Sequence, residues 1–230
     1  MDRTKTNTRN VICCLIAVLI LCAPKAMSAG HQLGLITQLD GKITYLNFFK
    51  IKTLTTVKEK DHLQTDGSYL THDNAFFNVH LFDGSWLRLN PKSKISLEFD
   101  LETKTLTIFL LTGSINIFLD KDRKEKQLEK VIVRSAGATF ETVDAKFAVT
   151  RNLLTDQSAV YVEKGTVIAT QYLQYQKQDM ELVHASEKTT IHDRGNNVES
   201  PRKMSDKEIH FLNPKNYHHG SENSLNKMIK

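Results

Sequence analysis

His62, His72 and His80 form the cluster in the centre of the chain whose residue type could ligate a metal. His72 and His80 would share a face only on an uninterrupted strand, and Asp73-Asn74 breaks it, so all three read as surface histidines. Ser85, between Gly84 and Trp86, is explained by turn chemistry, because Ser after Asp-Gly is an ordinary hairpin residue. The chain has no Gly-x-Ser-x-Gly elbow, no His-Glu-x-x-His, no phosphate loop and no calcium-loop spacing. Glu98 or Glu141 with a nearby Asp could act on polysaccharide as a carboxylate pair, but any β protein offers such pairs. Trp86 and Arg88 are more specific: two residues apart on one strand, they point to the same side, and both types are enriched at contact hot spots. Phe76 and Phe82 add apolar surface there. The residues therefore point to partner binding at Trp86, Arg88, Phe76 and Phe82, with no catalytic residue, cofactor or metal.

The elements that must position these residues are written in alternation. Ala75, Phe77, Val79 and Leu81 fall on one face, then Leu87 and Leu89, then Ile95, Leu97 and Phe99, then Leu106, Ile108 and Leu110, then Ile115, Ile117 and Leu119. A glycine phrase punctuates these rows at Gly41, Gly67, Gly84, Gly113 and Gly165, each reading as a tight turn that feeds a half-buried strand. Asp40-Gly41 between alternating apolar residues reads as a hairpin joining 35–39 to 43–46, and Asp83-Gly84-Ser85 as a second turn. Pro91 ends the strand before it, because proline cannot donate to a ladder. Further strands are expected at 131–135, 138–150, 158–163, 165–173 and 180–184, with a charged loop over 120–130. The glycine phrases recur unevenly, against a fixed-period solenoid. The fold class is all-β: a single rolled antiparallel sheet or a two-layer β-sandwich of short strands.

Residues 1–29 have the layout of a secretory signal: Arg3, Lys5 and Arg9, the apolar run 11–23, then small residues with a cleavage site at Ser28 and Ala29. Cys22 can also be read as a lipid-attachment cysteine, a reading disfavoured by the large Leu21 before it, where such sites want a small residue. Membrane contact is expected only through this leader, if it is kept. All three cysteines (Cys13, Cys14, Cys22) lie in it, so the body of 30–193 is free of disulfide and thiol chemistry. Leader and tail carry the basic excess behind the formal net charge of +5, which removes the charge argument for a nucleic-acid partner. Residues 194–230 read as a polar, largely disordered tail with a short helix at 205–213, capped by Ser205 and Glu208 and stopped by Pro214.

The block 63–68, the row Ala75 to Leu81, and Asp83-Gly84-Ser85 through Asn90-Pro91-Lys92-Ser93 to Ile95 together resemble the FecR-like family, the periplasmic domain of iron-dicitrate regulators and related envelope proteins. Thr112-Gly113-Ser114, 131–136 and 159–167 extend the similarity over about 34–192. Asp144-Ala145-Lys146 stands where the family usually has Arg-Gly-Thr, and Ala185-Ser186-Glu187 where it has a small-Gly-Glu turn. The resemblance implies an exported, non-enzymatic binding or sensing module of the periplasm or cell envelope, with an envelope protein or cell-wall component as partner. Ten residues precede the apolar run, so the cytoplasmic anti-sigma segment of the family's regulators is not expected. The rival readings are a small polysaccharide-acting enzyme and an assembly subunit built by edge pairing.

Overall fold

The computed structural model describes residues 31–48, 54–119, 128–173, 176–192 and 198–212. Its strands are β1 (Gln32–Asp40), β2 (Ile43–Asn47), β3 (Leu54–Thr56), β4 (His62–Gln64), β5 (Gly67–Thr71), β6 (Phe76–Leu81), β7 (Trp86–Leu89) and β8 (Lys94–Asp100). They continue with β9 (Thr105–Phe118), β10 (Lys130–Ser135), β11 (Ala138–Thr142), β12 (Ala145–Asn152), β13 (Gln157–Leu173), β14 (Gln176–His184), β15 (Glu187–His192) and β16 (Arg202–Lys203). One short helix, α1 (Asp206–Leu212), follows.

The fold is all-β, and both expected architectures are present at once. Along one layer the strands run β4-β1-β6-β7-β9-β12-β13-β15-β16, every neighbour antiparallel. Along the other they run β3-β2-β5-β8-β9-β10-β11-β13-β14. Two strands belong to both layers. The first part of β9 pairs with β8 and β10, and its end pairs with β7 and β12. The start of β13 pairs with β12 and β15, and its end with β11 and β14. One hydrogen-bonded sheet is thus folded over into two layers.

The crossings fall at glycine. Gly113 in β9 has φ 86° and Gly165 in β13 has φ 84°, a region that a side chain disfavours. A Cβ on Gly113 would lie 2.2 Å from Ser93 Oγ, and one on Gly165 would lie 2.1 Å from the Asp144 carbonyl oxygen. These two phrases are corners inside long strands of 14 and 17 residues, where turns between short strands were expected. The Asp40-Gly41 reading also changes: β1 pairs with β4 and β6, β2 with β3 and β5, so this turn carries the chain from one layer to the other. Local turn chemistry fixes the bend but not which strand receives the next hydrogen bonds. Asp83-Gly84-Ser85 does close a hairpin, between β6 and β7.

Other differences are smaller. β9 and β10 pair in parallel, because β9 ends in the opposite layer and β10 starts beside Thr105. The span 138–150 is two strands divided at 143–144, and β15 lies beyond the last expected strand at 180–184. The expected loop at 120–130 lies mainly outside the described residues.

The core lies between the layers and holds the inward rows read from alternation. Phe77, Val79, Leu87, Leu89, Ile115 and Ile117 from one layer meet Tyr69, Ile95, Leu97, Leu106, Ile108 and Leu110 from the other. The Tyr69 and Phe77 rings approach to 5.6 Å across the gap. Each fully buried large apolar side chain contributes about 1.5–3 kcal/mol, so these rows dominate the stability.

The polar stretch beyond 194 is not uniform. Met204 and Leu212 pack on Ala148 and Tyr161, on the outer face of β12 and β13. Glu208 pins this segment, accepting from Arg202 (2.8 Å), Lys188 (2.7 Å) and Ser205 N–H (2.9 Å). Burial raises the Glu208 pKa, but these donors outweigh it and hold the carboxyl at about 2. Residues 213–230 lie outside the described residues.

Candidate binding surface

β7 is held at its end by a knot of buried polar groups. Thr71 Oγ1 donates to the Asn90 carbonyl (2.6 Å) and accepts from Ser93 N–H (2.9 Å). Ser93 Oγ accepts from Ser114 N–H (2.8 Å), and Asn90 Nδ2 donates to Ser114 Oγ (3.0 Å) and Asn116 Oδ1 (2.7 Å). Asn90 and Ser93 have no exposed surface. The Asn-Pro-x-Ser and Gly-Ser phrases are therefore one device, closing the turn after β7 against the Gly113 corner. Pro91 sits inside it and leaves its carbonyl to Ser93 Oγ (3.1 Å).

The four residues selected as a contact surface separate into two groups. Arg88 is buried (1% exposed), and its guanidinium stands 3.9 Å from the centre of the Phe76 ring, itself 5% exposed. Each covers the other's flat face, so the expectation that Arg88 and Phe76 form exposed surface is corrected. In register, Arg88 lies between Asn78 of β6 and Asn116 of β9, in the middle of a nine-strand layer. Alternation gives its face and says nothing of what covers it.

Trp86 is half-buried and stacks on Phe118, ring centres 5.9 Å apart and planes 23° apart. Cross-strand register places both in one row on the outer face. His62 of β4 and His80 of β6 lie opposite Leu35 of β1 from its two sides, His80 lies opposite Trp86, Trp86 opposite Phe118, and Phe118 opposite Lys146 of β12. Lys146 pairs with Glu163 (2.6 Å). The row combines two exposed histidines, a half-buried Trp-Phe stack and a lysine on a rigid sheet. Phe118, His80 and His62 were not selected together from sequence, because register between distant strands is not written locally. His72 is elsewhere, its Nε2 3.1 Å from Thr44 Oγ1. Among the described residues no group of three or more His, Cys, Asp or Glu could hold a metal ion.

Phe82, half exposed, stands at the tip of the β6–β7 turn, its ring 6.2 Å from that of His62. Asp83 Oδ1 accepts Ser85 N–H (3.0 Å) and fixes the turn, and Phe82 N–H donates to the Leu33 carbonyl (3.2 Å). Beneath the turn a cleft of about 330 Å³ opens between the layers, walled by Leu33 and Leu81 on one side and Phe99, Leu106 and Leu128 on the other. Asp83 is the one carboxylate among its described lining residues.

Residues 67–168 match the family described as FecR protein. That span runs from the start of β5 to Ile168 in β13 and includes both glycine corners. No curated protein matches the chain. Two crystal structures of a proposed anti-sigma factor from Parabacteroides distasonis are similar to it, at 15% and 14% identity and a TM-score of 0.49 each. The chain spans 62% of the length of those proteins, and the similarity covers 62% of this chain.

Proposed function

Because the body of this chain carries a FecR domain, we propose that the protein is an exported, non-enzymatic binding and signal-sensing module of the bacterial cell envelope. The observation that carries the site is the outer row of His62, Leu35, His80, Trp86 and Phe118, an aromatic surface flanked by imidazoles on five adjacent strands. Such a row suits a protein partner that lays an apolar or acidic segment across the strands, with Trp86 as anchor. The leader at 1–29 supports delivery to the periplasm or envelope, where another envelope protein or a cell-wall component is the partner. A polysaccharide-acting enzyme finds less support, since paired carboxylates are needed in a cleft and the described lining here contributes Asp83 alone.

The test is partner capture by in-cell crosslinking and mass spectrometry, comparing the native protein with Trp86→Ala/Phe118→Ala. Loss of one specific partner, with the circular dichroism spectrum retained, is the expected result. An unchanged set of partners at unchanged yield overturns the assignment of this row.

A further inference from the structure

We propose that the cleft beneath the β6–β7 turn is a binding site for a small, neutral, mostly apolar molecule. This goes beyond the protein-binding row, which lies on the outer face and needs no cavity. The cleft volume of about 330 Å³ falls at the lower end of the roughly 300–1,000 Å³ of small-molecule pockets. Its walls are core side chains: Leu106 (1% exposed) and Leu128 (5%) at the back, with Leu33 and Phe99 at the fringe of the core cluster. The two lips come from different layers, Phe82 from the β6–β7 turn and Leu101 from the β8–β9 turn, and they are 51% and 61% exposed. A guest seated between them would remove both from water, the driving force such a site needs.

Charge at the rim selects the class. Among the described lining residues Asp83 and Lys104 are the two of fixed charge, and they are opposite in sign. Asp83 already accepts the Ser85 N–H, and the Lys104 carbonyl accepts from Glu129 N–H (2.9 Å). His31 presents its ring to Phe99 at 6.2 Å. With these two charges balanced among the described lining residues and apolar walls behind them, an ionic guest would lose its hydration with little compensation. The walls are held by hydrogen bonds from both layers, Phe82 N–H to the Leu33 carbonyl and Glu129 N–H to the Lys104 carbonyl, so the site is pre-formed.

The experiment is a fluorescence titration of the full exported protein with N-phenyl-1-naphthylamine, a neutral apolar dye, beside its anionic relative 1-anilinonaphthalene-8-sulfonate. The neutral dye is expected to saturate one site and to bind about tenfold or more tighter than the anion. Leu33→Trp, which fills the cleft, should weaken the neutral dye about tenfold or more, and Phe82→Ser, at an exposed lip, about threefold or more. Trp86→Ala should leave dye binding unchanged while it affects partner capture, so the two sites can fail separately. The proposal is overturned if the neutral dye does not saturate a site, or if the anion binds as tightly. It is also overturned if Leu33→Trp, with an unchanged melting temperature, binds like the native protein. Should Leu33→Trp not fold, Phe82→Ser decides: weaker binding supports the cleft, and unchanged binding overturns it.

Discussion

Trp86 and Arg88 stand two residues apart on the same face of β7, yet they belong to different kinds of row. The Trp86 row, His62-Leu35-His80-Trp86-Phe118, has two exposed histidines and leaves Leu35, Trp86 and Phe118 half-buried. The Arg88 row continues from Asn78 through Asn116, Ala148 and Tyr161 to Lys188. Its far end is roofed by Met204 and Leu212 and tied down by Glu208. One row is surface and the other is structure. A pair of residue types known from contact hot spots therefore divides between the proposed contact surface and the scaffold, and the division is made by the neighbours that register supplies.

The comparison breaks most readily at the scaffold end. Gly113→Ala forces a side chain into a left-handed conformation and against Ser93, so a loss of about 3 kcal/mol or more is expected in urea unfolding. A loss below about 1 kcal/mol would show that the corner relaxes freely. Arg88→Ala removes a buried cation from its ring and amide neighbours and should cost about 2 kcal/mol, without altering partner capture beyond what the lost stability explains. Ser93→Ala cuts three strands of the polar knot at one hydroxyl and should cost about 1–2 kcal/mol by the same measurement.

Acid sharpens the division from the roofed end. The Glu208 carboxyl is held at about 2 against an ordinary 4.5. A group depressed in the folded state stabilises above its unfolded value and loses that contribution as pH falls through the folded one. Protection of the Met204 and Ile209 amides from hydrogen exchange should thus decline between about pH 4.5 and 2 beyond the decline in the body. The smallest stability effect belongs to the proposed contact row. Trp86→Ala gives up a stacked pair and should cost about 1 kcal/mol while abolishing partner capture.

Much of the scaffold was legible in the chain. The inward rows from Ala75 to Leu119 are written as period-two alternation, and the Asp83-Gly84-Ser85 turn carries its own backbone signal. What could not be read is nonlocal. Asp40-Gly41 announces a bend, but its two strands bond to different layers. Gly113 and Gly165 announce positive φ without saying that the strand continues through it. Arg88 and Phe76 lie on an outward face by alternation, yet both are buried, the guanidinium stacked on the ring. Phe118, His80 and His62 join Trp86 only once five strands are placed in register, and the cleft exists only where the ends of two layers meet.

The central claim is that the Trp86 row, and not the Arg88 row, meets the partner. Placing a photo-crosslinking amino acid at position 86, 118 or 88 of the protein tests it directly, with melting temperature as the control for folding. Positions 86 and 118 should crosslink the same partner, and position 88 should yield none. A crosslink from 88 with none from 86 or 118 would contradict the account.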